Sequence, residues 1–488
     1  MQNRDKASSS RVIYYGLFIF AVSFWVRWLL LSKGPFHYDT VDFLIQMREH
    51  SISEHGIYMP LASVFVIFLS WIKSLFLKNL DDLNLLMFVT VLFSSLGQML
   101  GYLLFRKRIG DASSFALFLL FSFYPAFLSV TTFGRIDHAL ASLLLPICLF
   151  YLFELSWIKS SIFAGLAIAS RGECALVIPA MLFWLIIQKR ENILYALRCV
   201  FLFSLFSLGL WALISLLAAR KGWVDNFIMP EIVQRFFIKK PDQFLIVWEF
   251  TFAHIAQGFV MLGQTLRVSI LACLVGLYLW MKKENLKLNL FFFIAFLVPF
   301  VYVVNREADT PRYLIVPVFF LFYYAARGIA YLSRERLFLS GALTFLFIIP
   351  MFLYIYPLLW QRHLHAYQVD FAKNIEAFTQ PNSLIITQDE WIFLKYYTKR
   401  EALVPPSDCD VNKWTDFLSQ LRKHYQSGRP LYLVSSGLSY DPCRVLFNFI
   451  QNNFFLQRQF VLLNENWHQD CAIRKHLLKE ELMRLVPR

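Results

Sequence analysis

Apolar positions in this chain come in long unbroken runs. They do not alternate as in a half-buried strand, nor follow the one-sided stripe of a water-facing helix. The runs lie near residues 12–32, 59–77, 84–105, 113–131, 137–156, 161–170, 174–188, 195–218, 250–280, 288–304, 313–332 and 337–359. Most are long enough for a helix to cross about 30 Å of hydrocarbon. From about residue 361 the pattern changes. Strand-like stretches at 383–387, 430–435 and 460–463 alternate with helical patterns near 366–378, 411–426 and 442–452. That alternation predicts a small α/β domain, long enough for its own core. The expected organisation is a transmembrane module over 1–360 and an α/β domain over 361–488.

Composition agrees. The chain is 58% hydrophobic with a mean hydropathy of +0.52, more apolar surface than water can cover, so lipid must solvate most of it. The net charge of +14 would suggest nucleic acid in a soluble domain. Here most basic residues sit in short loops between apolar runs, which is a topology signal and excludes nucleic acid as the expected partner. The polar, basic N-terminus is followed by an apolar stretch too long for a signal-peptide core and without a small-residue cleavage site, so it reads as a retained first helix with a cytoplasmic start.

The basic loops Arg106-Lys107-Arg108, Lys159, Lys189-Arg190, Lys282-Lys283 with Lys287, and Arg334 with Arg336 are expected on the cytoplasmic side. Counting every run as a crossing places Arg106-Lys107-Arg108 outside. The conflict disappears if 59–77 lies in the interface and 161–170 with 174–188 forms an out-and-back pair. This gives about eleven crossings and an outer C-terminal domain. The competing arrangement, with 59–77 crossing and 161–188 as one helix, puts Arg135 and Asp137 inside. The favoured one puts Asp39, Asp42, Arg135, Asp137, Arg171, Glu173, Glu231, Arg235, Arg306, Glu307 and Arg312 on the outer face.

These charges are the candidate chemistry, because ionisable groups at membrane depth are costly unless used. Asp39 directly follows the first run. If a helix starts there, Asp39 and Asp42 share a face, and a carboxylate can serve as the general base that takes a nucleophile's proton. The plain alternative is a helix N-cap. Arg135 and Asp137 sit in a hairpin with almost no loop, as an ion pair closing the turn or as part of a site that clamps phosphate. Arg171-Gly172-Glu173 interrupts 161–188. On a continuous helix residues two apart face different ways, so a broken helix is expected at Gly172. Pro311 suits a first helical turn, with Arg312 at the membrane surface either anchoring or binding a headgroup. Glu231 and Arg235 lie in a long outer loop of interfacial character.

Cys148, Cys174, Cys199 and Cys273 lie in apolar segments and read as packing residues. Cys409, Cys443 and Cys471 leave one disulfide open. There is no Walker loop, Rossmann fingerprint, His-rich cluster or Ser/His/Asp motif. No obligatory cofactor or metal is expected.

The order of these features resembles the glycosyltransferases of the GT-C superfold, nearest the protein O-mannosyltransferase and lipid A aminoarabinose transferase group, over nearly the whole chain. Asp39 matches the Asp of that group's Asp-Glu motif after helix one. Phe133 to Asp137 resembles its Arg-Pro-Asp hairpin, and Ala164 to Pro179 its Gly-Leu…Lys/Arg…Pro stretch with Arg171 at the basic position. Glu231 to Phe236 resembles an outer-loop element. Pro311-Arg312-Tyr313-Leu314 up to Pro317 resembles Pro-Arg-Tyr-Leu-x-x-x-Pro. The tail is similar to the group's periplasmic domain. Two positions depart from the pattern: Thr40 replaces the Glu, and Met59 stands where a His or Lys usually precedes the proline.

The resemblance implies an inverting transferase of the bacterial inner membrane. It would move a sugar from a polyprenyl-phosphate donor to a lipid, polysaccharide or protein acceptor, with Asp39 as base, Asp42 and Asp137 as further carboxylates, and Arg135, Arg171 and Arg312 toward the donor phosphate. Glu231 and Arg235 would contact the acceptor or the loop. A transporter or flippase is the other reading, although no half-length repeat supports it.

Overall fold

The computed structural model describes residues 2–53, 56, 59–188, 193–219, 252–281, 285–307, 311–388, 390–406, 409–439, 441, 443–467 and 475–488. They fall into two compact units. One comprises residues 1–31 and 46–360, the other 361–469 and 474–488 together with Ser32–Ile45. The short segment Ser32–Ile45, after the first helix, thus groups with the C-terminal unit.

The first unit is helical. Among the described residues seven helices are long and apolar enough to cross a membrane, and two bent pairs bring the number to nine. The helices Pro60–Phe76, Trp157–Ser170 and Gly172–Gln188 are shorter. Pro60–Phe76 has 17 residues, about 25 Å at 1.5 Å per residue. It buries Ala62, Val66, Ile67 and Leu69 on one face and leaves Val64, Phe68, Trp71 and Leu75 exposed on the other. One reading changes here. The run 250–280 is not one straight crossing: helices Phe252–Leu266 and Ser269–Met281 meet at 111°, with Arg267 at the break in the left-handed region.

Capping and charge set the ends of the Asp82–Ile109 helix. The Asp81 carboxylate accepts from the Leu83 and Asn84 amides at 3.0 and 3.3 Å, and Arg106, Lys107 and Arg108 fill the last turn. Gly97 and Gly101 let other segments close on this helix. A Cβ at Gly97 would lie 2.8 Å from the Ser142 carbonyl, and one at Gly101 would meet the Phe118 ring. Arg108 Nη2 donates to the Phe153 carbonyl at 2.7 Å and to Glu154 at 3.0 Å. The C-terminal ends of Asp82–Ile109 and Ile136–Phe153 therefore lie together. The charged hairpin at Arg135 stands at the opposite end of the bundle from the basic loop at Arg106–Arg108.

Between them the chain returns through Asp111–Ser122 and Pro125–Thr132, bent 56° at a proline that removes one helical donor. Arg27 takes up groups beside this bend. Its guanidinium, fully buried in Gln2–Leu29, donates to Thr131 Oγ1, to the Ser23 hydroxyl and carbonyl, and to the Ser122 hydroxyl and carbonyl at 2.7–3.1 Å. It also lies 5.1 Å from the Phe127 ring centroid. Arg27, like Arg171, is an arginine inside an apolar run, a signal present in the sequence.

The second unit contains a five-stranded sheet of order β2-β1-β3-β5-β4, with β1 Leu384–Ile386, β2 Glu401–Leu403, β3 Leu431–Val434, β4 Phe454–Trp467 and β5 Lys475–Pro487. β1 runs parallel to β2 and β3, and β5 runs antiparallel to β3 and β4. Alternation sends Leu384, Ile386, Leu431, Leu433 and Leu485 to one face, against Trp414, Phe417 and Leu421 of Val411–Gln426 and Leu446 and Ile450 of Val445–Asn453. Ile385, Tyr432, Val434 and Leu482 go to the other.

A disulfide joins Cys409 to Cys443, at the starts of the two helices on the first face. Cys471 lies outside the described residues. The four cysteines of the helical unit are free and buried, as packing residues should be. Closing a 34-residue separation constrains the unfolded chain by about 4 kcal/mol. Cys409→Ser should therefore lower the unfolding temperature of the C-terminal unit in the full-length protein. Differential scanning calorimetry with and without reductant checks this, and a variant indistinguishable from wild type under both conditions would contradict it.

Candidate active site

The charged hairpin begins at Gly134, whose φ of +89° turns the chain between two helices. Arg135 is the residue before the Ile136–Phe153 helix, and Asp137 lies in its first turn. Here Arg135 folds back on Asp137, Nε to Oδ1 at 2.9 Å and Nη2 to Oδ2 at 2.7 Å. A two-pronged pair in the first turn also sets the carboxylate against the positive helix end.

Arg171 arrives from the next interruption. Trp157–Ser170 ends, Arg171 is extended at φ −154° and ψ 117°, and a 3-10 turn spans Gly172–Val177 before Ile178–Gln188 starts. The helix is broken where Gly172 was expected to break it. Without helical geometry the i,i+2 pair can form: Arg171 Nη2 donates to Glu173 at 2.8 Å. Nη1 donates to Asp137 Oδ2 at 2.5 Å. The result is a chain of alternating charge, Arg135–Asp137–Arg171–Glu173, in which Asp137 is fully buried and Glu173 retains 19% exposure.

Arg312 is brought to the same place. It lies in the 3-10 turn Pro311–Leu314 that opens Ile315–Leu332, and it is buried. Its guanidinium stands 5.0 Å from the Tyr313 ring centroid and its Nη2 3.4 Å from the Tyr313 hydroxyl. Arg171 stands 5.7 Å from the same ring. Two guanidinium groups thus share one aromatic ring, beside the Asp137 and Glu173 carboxylates that Arg171 meets.

A cavity of about 20 Å³ opens next to Arg171. Its polar lining includes Gln98 and His138; the rest is largely apolar, with Leu145, Ile315 and Phe319. His138 Nε2 and Gln98 Oε1 are buried there without a hydrogen-bond partner among the described residues. The sequence reading did not single out either residue. His138 directly follows Asp137, and Gln98 lies within an apolar run between Gly97 and Met99.

Asp39 and Asp42 belong to the other unit. The helix Tyr38–Glu49 starts where expected, so the two carboxylates do share a face, and both are buried. The cap is not Asp39. The His37 carbonyl accepts from the Thr40 and Val41 amides, and its Nδ1 accepts from the Asp39 amide at 3.1 Å. His37 Nδ1 also lies 3.3 Å from Asp39 Oδ2. Thr40, at the position of the group's Glu, is fully buried. Met59 precedes Pro60 at the start of its helix with no side-chain cap.

Glu231, Arg235 and the loop 220–251 lie outside the described residues, as do Lys189-Arg190 and Lys282-Lys283; the side chains of Arg306 and Glu307 are likewise not described. Among the described residues no group of three or more His, Cys, Asp and Glu is placed to hold a metal ion.

Known proteins bear on this arrangement. Residues 50–215 match the family model for dolichyl-phosphate-mannose-protein mannosyltransferases. No curated protein matches the chain. ArnT from Cupriavidus metallidurans, solved bound to undecaprenyl phosphate, is similar at a TM-score of 0.55 and 13% identity over 98% of both chains. Its apo form gives 0.56 and 14%. The chain shares the fold of these structures. The archaeal oligosaccharyltransferase AglB from Archaeoglobus fulgidus, in complex with an inhibitory peptide and a dolichol-phosphate, is similar at a TM-score of 0.51 and 12% identity, over 91% of this chain and 73% of that one.

Proposed function

We propose that this chain is an integral-membrane glycosyltransferase of the GT-C superfold. It moves a sugar from a polyprenyl-phosphate donor to an envelope acceptor on the outer face of the bacterial inner membrane. The observation that carries the reading is the buried ladder Arg135–Asp137–Arg171–Glu173, with Arg312 on the ring it shares with Arg171. So much charge at one end of a membrane bundle is hard to maintain without an anionic substrate. The match to a family described by a lipid-phosphate sugar supports the donor class. The Cys409–Cys443 bond supports an oxidising compartment for the C-terminal unit.

In the reaction an acceptor hydroxyl or amine attacks the anomeric carbon as the bond from that carbon to the phosphate oxygen breaks. Asp39 takes the proton the acceptor loses. The lipid phosphate leaves with the bonding electron pair and gains negative charge, and guanidinium groups stabilise that charge as it develops. One displacement inverts the anomeric centre.

Arg171 suits the phosphate role. A guanidinium has five N–H groups; one goes to Asp137 and one to Glu173, and the side chain still lines the cavity. The two carboxylates act as its orienting partners. Transfer is expected to need no metal, so a chelator should leave the rate unchanged.

The test is a deletion strain of the source organism. Mass spectrometry of its envelope glycolipids, polysaccharides and glycoproteins should show one glycan substituent missing, restored by the wild-type gene and not by Asp39→Asn. Full restoration by Asp39→Asn would point instead to transport without chemistry.

A further inference from the structure

We infer that the C-terminal α/β unit is the positioning device for Asp39, rather than an appended module; this rests on the glycosyl-transfer reading above. Three independent contacts carry it. The first is hydrophobic. Val41 and Ile45, on the helix that bears Asp39 and Asp42, are buried in the core of the C-terminal unit with Val369, Ala372, Ile375 and Ile392. That helix therefore serves, with Tyr367–Phe378 and Trp391–Tyr397, as a covering layer of the sheet. The second fixes the segment that enters the helix. The Lys33 amide donates to the Arg362 carbonyl at 2.9 Å, and the Arg362 guanidinium stacks 5.1 Å from the Phe36 ring.

The third is a close approach at Gly34. A Cβ there would stand 2.7 Å from Ala366 Cβ and 3.2 Å from Val369 Cγ2. Gly34 has no backbone conformation that demands glycine. It is required for space alone. Four residues separate it from Asp39, with Pro35 stiffening the connection and His37 capping the helix. The carboxylate thus inherits its position from residues more than 300 positions away in sequence. The helix that carries the two carboxylates and the sheet of the tail share one packed core.

The geometry supplies its own rescue test. Gly34→Ala should push residues 32–45 off Tyr367–Phe378. Ala366→Gly removes the atom it strikes, at a helix-capping position that accepts glycine readily. In the deletion strain, Gly34→Ala should lower the missing envelope product by about 100-fold, the loss that follows a displacement of about 1 Å at a reacting group. Membrane levels should stay normal. Hydrogen exchange of the 36–45 amides should quicken, with the bundle helices unchanged. The double variant Gly34→Ala/Ala366→Gly should restore both product and protection.

Wild-type product from Gly34→Ala, or a double variant that regains protection without product, overturns the inference. If Gly34→Ala does not accumulate, Val41→Ala takes its place; it loosens the same contact without a clash and should lower product at normal protein level, while no change counts against the inference. Asp39→Asn run alongside separates the two claims. If it retains product the transferase reading fails, and if it loses product while Gly34→Ala does not, only the positioning fails.

Discussion

Asp39→Asn should reduce transfer by roughly 10²–10⁴-fold, the usual contribution of a positioned general base, with the protein present in the membrane at its normal level. The amide keeps the shape of the carboxylate but cannot take up a proton. The cap of this helix is His37, through its carbonyl and its Nδ1, so replacing the Asp39 side chain removes no capping bond. Asparagine keeps an oxygen for the contact with His37 Nδ1 at 3.3 Å, and the negative charge it removes from the first turn is worth about 0.3–1 kcal/mol. Asp42→Asn, one turn further on the same face, should cost less. Quantitative immunoblotting of membranes with mass spectrometry of the product reads both. Wild-type product from both variants would remove the carboxylates from the mechanism.

The sequence made some of this legible and hid the rest for identifiable reasons. Apolar runs locate membrane helices because lipid rewards unbroken hydrophobicity; seven to nine helices among the described residues are long and apolar enough to cross, against about eleven expected, because runs such as 161–170 and 174–188 form shorter helices. The break at Gly172 was legible from two charges that a continuous helix would aim apart. The break at Arg267 was not, because its flanking residues stay apolar and the turn uses a left-handed non-glycine residue.

In the C-terminal unit the buried strands β1 and β3 were read correctly, since both faces are covered and their residues are nearly all apolar. β5 escaped. Lys475 to Arg484 is dense in charge and leucine and carries no strand alternation; its ladder partners, not its propensity, make it a strand. The attachment of Ser32–Ile45 to the tail was also invisible. Val41 and Ile45 sit one helical turn apart, as in any amphipathic helix, and nothing local names their distant partner. The candidate site follows the same rule: Asp39, Arg135, Asp137, Arg171 and Arg312 stand out as charges in or beside apolar runs, whereas Gln98 and His138 carry no formal charge to betray them.

Arg171→Ala should remove about 2–5 kcal/mol of transition-state stabilisation, the range for truncating a buried, hydrogen-bonded charge. Truncating such a charge often damages the fold instead, because a partner is left buried and unpaired. The ladder limits that here. Asp137 keeps its two-pronged bond to Arg135 at 2.7 and 2.9 Å, and Glu173 retains access to water. The loss should therefore appear in kinetics before it appears in stability. Arg171→Lys tests the geometry. An ammonium keeps the charge but cannot reach Asp137, Glu173 and a phosphate with a planar fork, so it should retain partial activity. The split between constants then identifies the role. If Arg171 meets charge that grows on the leaving phosphate, turnover falls more than donor affinity. If it only holds the donor, KM rises at constant turnover. Donor-concentration kinetics on purified variants decides this. Unchanged turnover and KM in Arg171→Ala would transfer the phosphate to Arg312 or Arg135 and leave Arg171 as the link that ties a broken helix to the Arg135–Asp137 hairpin.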